Sequence, residues 1–302
     1  MPARLLDPTA LAESFRAQLR AEVTALPGPV TLLGLLAAGH PPSETYAAYT
    51  RSGCDAVGIR FQLRTVTPDD VEAAVRQAGQ DPDVHGILVY YPVGARDADR
   101  WLRELVDPRK DVEGLHSFWA RCLYENRRFL DDERRRKAIL PCTPLAIVKL
   151  LEAAGAGRKG SSRPLEGTRV CIFNRSEVVG LPLAAMLAND GAEVVSFDLD
   201  GERLFEPEED GHRAHTVDVP RAEALARADV VVTGVPSRDF RLVEGREIRD
   251  GAICLNFSTL RNFADDVAER ASVLVPRVGP MTVTMALRNT LRLHAQQRAA
   301  GR

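Results

Sequence analysis

The sequence predicts a two-domain α/β protein in which each domain is built on a largely parallel sheet. Three observations carry this reading. The chain has 302 residues, more than one domain usually holds. From Pro29 onward, short apolar runs alternate with segments of helical period, and a second alternation starts near Arg169. The hydrophobic share of 45% against 27% charged residues is that of an ordinary globular protein, so both halves can bury a core.

The first alternation reads VTLLGLLAAG, SETYAAYTRSGCDAV, GIRFQLRTV, PDDVEAAVRQAG and VHGILVYYPV, a βαβαβ pattern. Continuous apolar strands between amphipathic helices predict a parallel sheet covered on both faces, with ligands at the carboxyl ends of its strands. In CTPLAIVKLLEAAG a helix is expected to begin at Thr143 and Pro144, where a capping hydroxyl precedes a first-turn proline. GAGRKGSSRPLEG then suits an exposed connection. The final segment MTVTMALRNTLRLHAQQRAA has helical apolar spacing. The boundaries expected are residues 1–145, completed by a C-terminal helix at 281–302, and residues 146–280.

The second alternation gives the strands RVCIFN, AEVVSFD, DVVVTGV, AICLNFS and SVLVP, which predict a Rossmann-like dinucleotide-binding domain. Asn174, Arg175, Ser176, Val179 and Gly180 form the turn from its first strand into a helix, where backbone N–H groups can receive a pyrophosphate. The turn lacks GxGxxG, so its position in the βαβ unit is what marks it. Asp198 ends the second strand, where a carboxylate accepts hydrogen bonds from the adenosine ribose and repels a 2′-phosphate. Asp200 can share that role; the plainer reading makes both turn residues before Gly201. Arg175 pulls toward NADP, and the local charge balance favours NAD.

Composition excludes several classes. No apolar stretch approaches the roughly 20 residues of a membrane span, and the amino terminus has no signal core, so a cytoplasmic protein is expected. Cys54, Cys122, Cys142, Cys171 and Cys254 have neither disulfide nor zinc spacing and read as reduced thiols, with no metal. A net charge of −2 offers no broad field for nucleic acid. The basic run Arg134–Lys137 follows Asp131, Asp132 and Glu133, which partly balance it as in a solvated loop.

Six segments together carry a resemblance: SETYAAYT, GILVYYPV, KDVEG, LPCTP, NRSEVVGLPLA and VGPMTVTMALRNTL. In order and approximate spacing they resemble the methylenetetrahydrofolate dehydrogenase/cyclohydrolase family from end to end. That family's usual pattern has a helical Tyr with Lys four residues later, a strand ending Val-Gln-Leu-Pro, and Lys-Asp-Val-Asp-Gly. Here Tyr46 is kept, while Thr50, Tyr90 and Glu113 replace the lysine, the glutamine and the second aspartate. The set is similar to the fungal-type monofunctional NAD-dependent branch.

The resemblance implies NAD-dependent oxidation of a tetrahydrofolate-type substrate by a homodimer joined through its cofactor domains. It places Tyr46 against the pterin or aminobenzoyl group, and Thr50 and Tyr90 at the reacting end. Glu113 would accept from pterin N–H groups, with Asp111 binding or capping beside it. Cys142 would contact nicotinamide or pterin, and Pro280 the substrate, in a loop of Pro276, Gly279 and Thr282 that lacks the family's double glycine. Each has a plainer reading: ring packing for the tyrosines, a loop salt bridge for the carboxylates, an inert buried thiol for Cys142. Threonine does not ionise near neutrality, so the resemblance also implies no cyclohydrolase activity. The alternatives are a catalytically silent folate- or nucleotide-binding protein and a dehydrogenase for another pterin.

Overall fold

The computed structural model describes residues 2–37 and 40–300, the side chain of Ala300 excepted. In chain order the first elements are β1 (Arg4–Leu5), α1 (Pro8–Thr24), β2 (Thr31–Ala37), α2 (Pro41–Val57), β3 (Arg60–Val66), α3 (Val71–Gln80) and β4 (Gly86–Tyr90). They are followed by α4 (Arg96–Leu105), α5 (Ser117–Tyr124), α6 (Cys142–Ala154), β5 (Arg169–Phe173), α7 (Gly180–Asn189), β6 (Glu193–Asp198), β7 (Gly201–Glu208) and β8 (Gly211–Val217). The chain closes with α8 (Arg221–Arg227), β9 (Val230–Thr233), β10 (Ile253–Asn256), α9 (Val267–Arg270), β11 (Val273–Val275) and α10 (Gly279–Ala300). Thus α6 starts one residue before the expected cap.

The chain divides into two compact units. One comprises Ala12–Cys122, Arg127–Cys142 and Thr282–Arg302. Its sheet is parallel, in the order β3-β2-β4. Residues alternate faces along a strand. Leu32, Leu36, Leu88 and Tyr90 therefore share one core with Leu287 and Leu291 of α10, while Leu33, Leu35, Ile87 and Val89 share another with Val71 and Val75 of α3. Sequence alone treats all three strands as covered, but β3 is an edge and alternates between exposed and half-buried residues.

Gly34 in β2 makes room on one of those faces. A Cβ there would lie 2.9 Å from both the Phe61 and Tyr90 rings. On the free edge of β4, Ile87 pairs with Asp111, and the Ile87 N–H donates to Lys110 O at 2.7 Å. The segment 110–114 is thereby held beside the strand. Lys110 is structural: its Nζ donates to Ala78 O and Asp81 O, where a cation suits the carboxyl end of α3.

The other unit comprises Met1–Leu11, Leu123–Asn126 and Thr143–Met281. Its sheet runs β1-β11-β10-β9-β5-β6-β7-β8, parallel from β1 to β6 and antiparallel beyond. Residues up to Leu11 and Leu123–Asn126 belong here, although a boundary at 145 assigns them to the first domain. Pairing decides it: β1 lies parallel to β11, and Asn189 Nδ2 donates to Leu123 O at 2.9 Å. The hairpin β7–β8 is a further addition to the expected strands.

Candidate active site

In the first unit, Tyr90 ends β4, and the Tyr46 ring from α2 meets it edge-on with centroids 5.5 Å apart. Both hydroxyl oxygens are buried without a hydrogen-bond partner among the described residues. A polar atom left so is uncommon and marks a place for a ligand. Burial pushes both phenols above their usual range, and the nearby Glu113 adds to the effect.

Asp111 organises the loop that carries Glu113. Its Oδ1 accepts from the Glu113 and Gly114 N–H groups at 3.1 and 3.0 Å, and its Oδ2 from His116 at 2.8 Å. With both oxygens engaged and 4% exposure, Asp111 takes the capping role of its two sequence readings. Glu113 remains half-buried at the turn. Burial raises its carboxyl to about 8, Asp111 adds to the rise, and Arg103 opposes it.

Two sequence expectations are corrected by packing. Thr50 is wholly buried, and its Oγ1 donates to Tyr46 O one helical turn back at 2.9 Å, so it does not present a hydroxyl at the reacting end. It supports Tyr46 and lies close enough to pull on the Tyr90 hydroxyl. Cys142 is 2% exposed and its thiol donates to Val112 O at 3.1 Å. Burial holds that thiol well above its ordinary value, and its hydrogen is committed to Val112 O, as in the inert-thiol reading.

Asn289 is the residue that sequence reasoning missed. From α10 its Nδ2 donates to Val112 O at 2.9 Å and to Leu140 O at 3.0 Å, tying the Glu113 loop to the Leu140–Cys142 turn. The available signal was an asparagine amid the apolar spacing of the last helix, where Thr284, Thr290 and His294 are buried polar residues too.

In the second unit, β5 lies between β6 and β9, where strand order reverses. Asn174 spans this point, its Nδ2 donating to Gly234 O at 2.9 Å and its Oδ1 accepting from Ser176 N and Oγ. Val179 is half-buried before the first turn of α7. Gly180 packs directly on Asn174, and any Cβ there would overlap the Asn174 carbonyl. This is the close helix–strand approach a dinucleotide turn requires.

Arg175 is turned inward. Its guanidinium pairs with Asp200 and donates to Ser196 O and Gly201 O, both at 2.8 Å. Asp198 is exposed and accepts from the N–H groups of Arg175 at 2.5 Å and Leu199 at 2.7 Å. Asp200 is held below the usual carboxylate range by Arg175. Pro280 is half-buried in the first turn of α10, and Arg277 reaches Asp7 and Thr9. Among the described residues, no group of His, Cys, Asp or Glu could hold a metal ion, and no helix is long and apolar enough to cross a membrane.

Residues 6–113 match the tetrahydrofolate dehydrogenase/cyclohydrolase catalytic domain, and residues 141–210 match the corresponding NAD(P)-binding domain. The chain is 41% identical to methylenetetrahydrofolate dehydrogenase [NAD(+)] of Schizosaccharomyces pombe, over 95% of this chain and 92% of the relative. The chain belongs to the tetrahydrofolate dehydrogenase/cyclohydrolase family. Within the family it is also 32% identical to the bifunctional protein FolD of an Azoarcus species, over the whole of both chains. Among solved structures, the NAD-dependent 5,10-methylenetetrahydrofolate dehydrogenase of Saccharomyces cerevisiae superposes with a TM-score of 0.92 at 38% identity, covering all of both chains. Family membership fits both units, one with the Tyr46–Tyr90–Glu113 cluster and the other with the Asn174–Gly180 turn.

Proposed function

We propose that the protein oxidises 5,10-methylenetetrahydrofolate to the 5,10-methenyl form with NAD as hydride acceptor, and that it does not hydrolyse the product. The substrate carbon lies between two nitrogens whose lone pairs expel hydride and leave an amidinium, so no protein base is needed. The NAD nicotinamide supplies the acceptor carbon. The protein's task is to position the reactants. Tyr46 offers a ring face and a hydroxyl unpaired among the described residues, and Glu113, once ionised, offers two acceptors for the adjacent donors of a pterin. Asn174, Ser176, Val179 and Gly180 shape the pyrophosphate turn, and Asp198 meets the ribose hydroxyls.

The observation that carries this reading is the burial of Thr50. Hydrolysis needs water activated and protons moved between nitrogens, work for an ionisable group of tuned pKa. The position that would supply a lysine instead holds a threonine whose hydroxyl is engaged by its own helix. A paired assay tests the proposal: NADH and NADPH formation from methylenetetrahydrofolate, beside loss of methenyltetrahydrofolate with enzyme alone. NADH formation without hydrolysis is expected; binding without NADH formation would indicate a silent folate-binding protein.

The same reading makes the protein a cytoplasmic homodimer without nucleic-acid or membrane partners. Five buried cysteines, none of them in a disulfide, suit a reducing compartment. The edge strand β8 is a surface through which cofactor domains can pair.

A further inference from the structure

At the amino ends of β2, β3 and β4, opposite the strand ends that carry Tyr90, the first unit has a recess of about 330 Å³. Its polar lining is Thr31, Arg60, Asp83, His85, His294 and Arg298. Two guanidinium groups thus face one carboxylate. The side chains of Arg60 and Arg298 make no hydrogen bond or ion pair with any described residue.

His294 provides a second, independent observation. It is 7% exposed, yet its ring has no hydrogen-bond partner among the described residues, and it lines the recess. His85 meets it edge-on, with ring centroids 4.7 Å apart. The Nδ1 of His85 accepts the Thr31 N–H at 3.1 Å, which leaves Nε2–H as the donor of the neutral ring. The walls therefore combine two cations unpaired among the described residues with imidazole N–H groups that can donate.

We propose that this recess binds a phosphate-type dianion, gripped by Arg60 and Arg298 and hydrogen-bonded by the His85–His294 pair. Guanidinium forks match tetrahedral oxyanions, and the second ionisation of phosphate falls in the same pH range as that of imidazole, so a dianion can meet an imidazolium near neutrality. Asp83 is the one acidic group in the lining among the described residues. Glu22 lines an adjoining recess beside His294 and Arg298, and its charge also acts on Arg292.

Burial holds both imidazoles below their ordinary value. Lys110 adds to this on His85 against Asp83 and Asp81, and His85 and Arg298 add to it on His294. A bound dianion reverses that balance, so anion binding and proton uptake are linked. The proposal is independent of the dehydrogenase reading.

The test is ring-nitrogen NMR of the full-length protein with labelled histidine, titrated with inorganic phosphate near pH 7 at constant ionic strength. The expected result is a saturable shift of the His85 and His294 signals toward the protonated form, with affinity at least tenfold weaker in the double variant Arg60→Gln, Arg298→Gln. Glycerol phosphate forms a second arm. Tighter binding than inorganic phosphate assigns the site to phosphorylated metabolites, and weaker binding assigns it to the free ion. A response equal to that of potassium chloride, or one the double variant leaves unchanged, overturns the proposal. Both arginines are exposed and outside the dehydrogenase machinery, so the variant's unchanged NADH formation serves as the folding control.

Discussion

Arg175 and Asp200 form an ion pair behind the turn that ends β6, and the pair turns the Arg175 guanidinium away from a position where it could meet a 2′-phosphate. Two carboxylates remain exposed there, Asp198 and Asp200, against the exposed guanidinium of Arg203, which pairs with Asp200 at 3.6 Å. Replacing both by serine removes the repulsion and releases Arg175. The NAD-to-NADP ratio of kcat/KM should fall at least tenfold, or about 1.4 kcal/mol. Steady-state kinetics with both cofactors measures this, and an unchanged ratio would place discrimination elsewhere.

Glu113 predicts a pH dependence of substrate binding. Its carboxyl is raised from 4.5 to about 8, so near pH 7 the ligand-free protein holds a proton that must leave before two pterin donors can be accepted. KM for the folate should fall as pH rises from 6 to 8, and Glu113→Gln should flatten that profile. Stability runs the other way. Between 4.5 and 8 the folded state keeps a proton the unfolded chain has lost, so this stabilising contribution is full below 4.5 and lost as pH rises through 8. Unfolding measured across that window should be less pH-dependent in the glutamine variant.

Thr50 and Tyr90 are predicted to be coupled. Lysine at position 50 would place an ammonium at a site with no exposure, beside a phenol that occupies the neighbouring space. A buried charge without a partner costs several kcal/mol. Thr50→Lys alone should therefore lower the melting temperature and yield no hydrolysis. Adding Tyr90→Gln opens room and supplies an amide, so the double variant should recover part of the melting temperature and hydrolyse methenyltetrahydrofolate above background. Hydrolysis by the single variant would show that packing around Tyr90 is not the obstacle.

Much of this was legible from residue pattern. The strands β2 and β4 are buried along their whole length, so an unbroken apolar run announced them. The hairpin β7–β8 was hidden because residues 201–217 are largely polar and mostly half-buried or exposed. At two residues, β1 is too short for any periodic signal and depends on pairing with a strand some 270 positions away. Motif position singled out Glu113 and Asp198 as candidates. Periodicity does not tell which way a threonine hydroxyl turns, so the engagement of Thr50 with Tyr46 O and of Cys142 with Val112 O appears only in three dimensions.

Gly180 should tolerate no side chain. Its absent Cβ would overlap both the carbonyl and the amide oxygen of Asn174, which are backbone and a hydrogen-bonded side chain rather than a flexible tip. Gly180→Ala must displace the turn that is to receive the pyrophosphate. KM for NAD should rise more than tenfold with little change in KM for the folate. A parallel rise in both would indicate general misfolding instead.

Asn289 yields the most discriminating variant for the folate-side loops. Leucine is similar in size but cannot donate, leaving Leu140 O without its donor and Val112 O with only the Cys142 thiol. Each buried carbonyl so deprived costs about 1–3 kcal/mol, and a melting temperature lower by several degrees is expected. The kinetic signature matters more. Both loops flank Glu113 and Cys142, so Asn289→Leu should raise KM for the folate several-fold while leaving KM for NAD near its starting value. If the melting temperature falls with no change in KM for the folate, Asn289 only holds the fold. If KM for the folate rises alone, it positions the loop that carries Glu113.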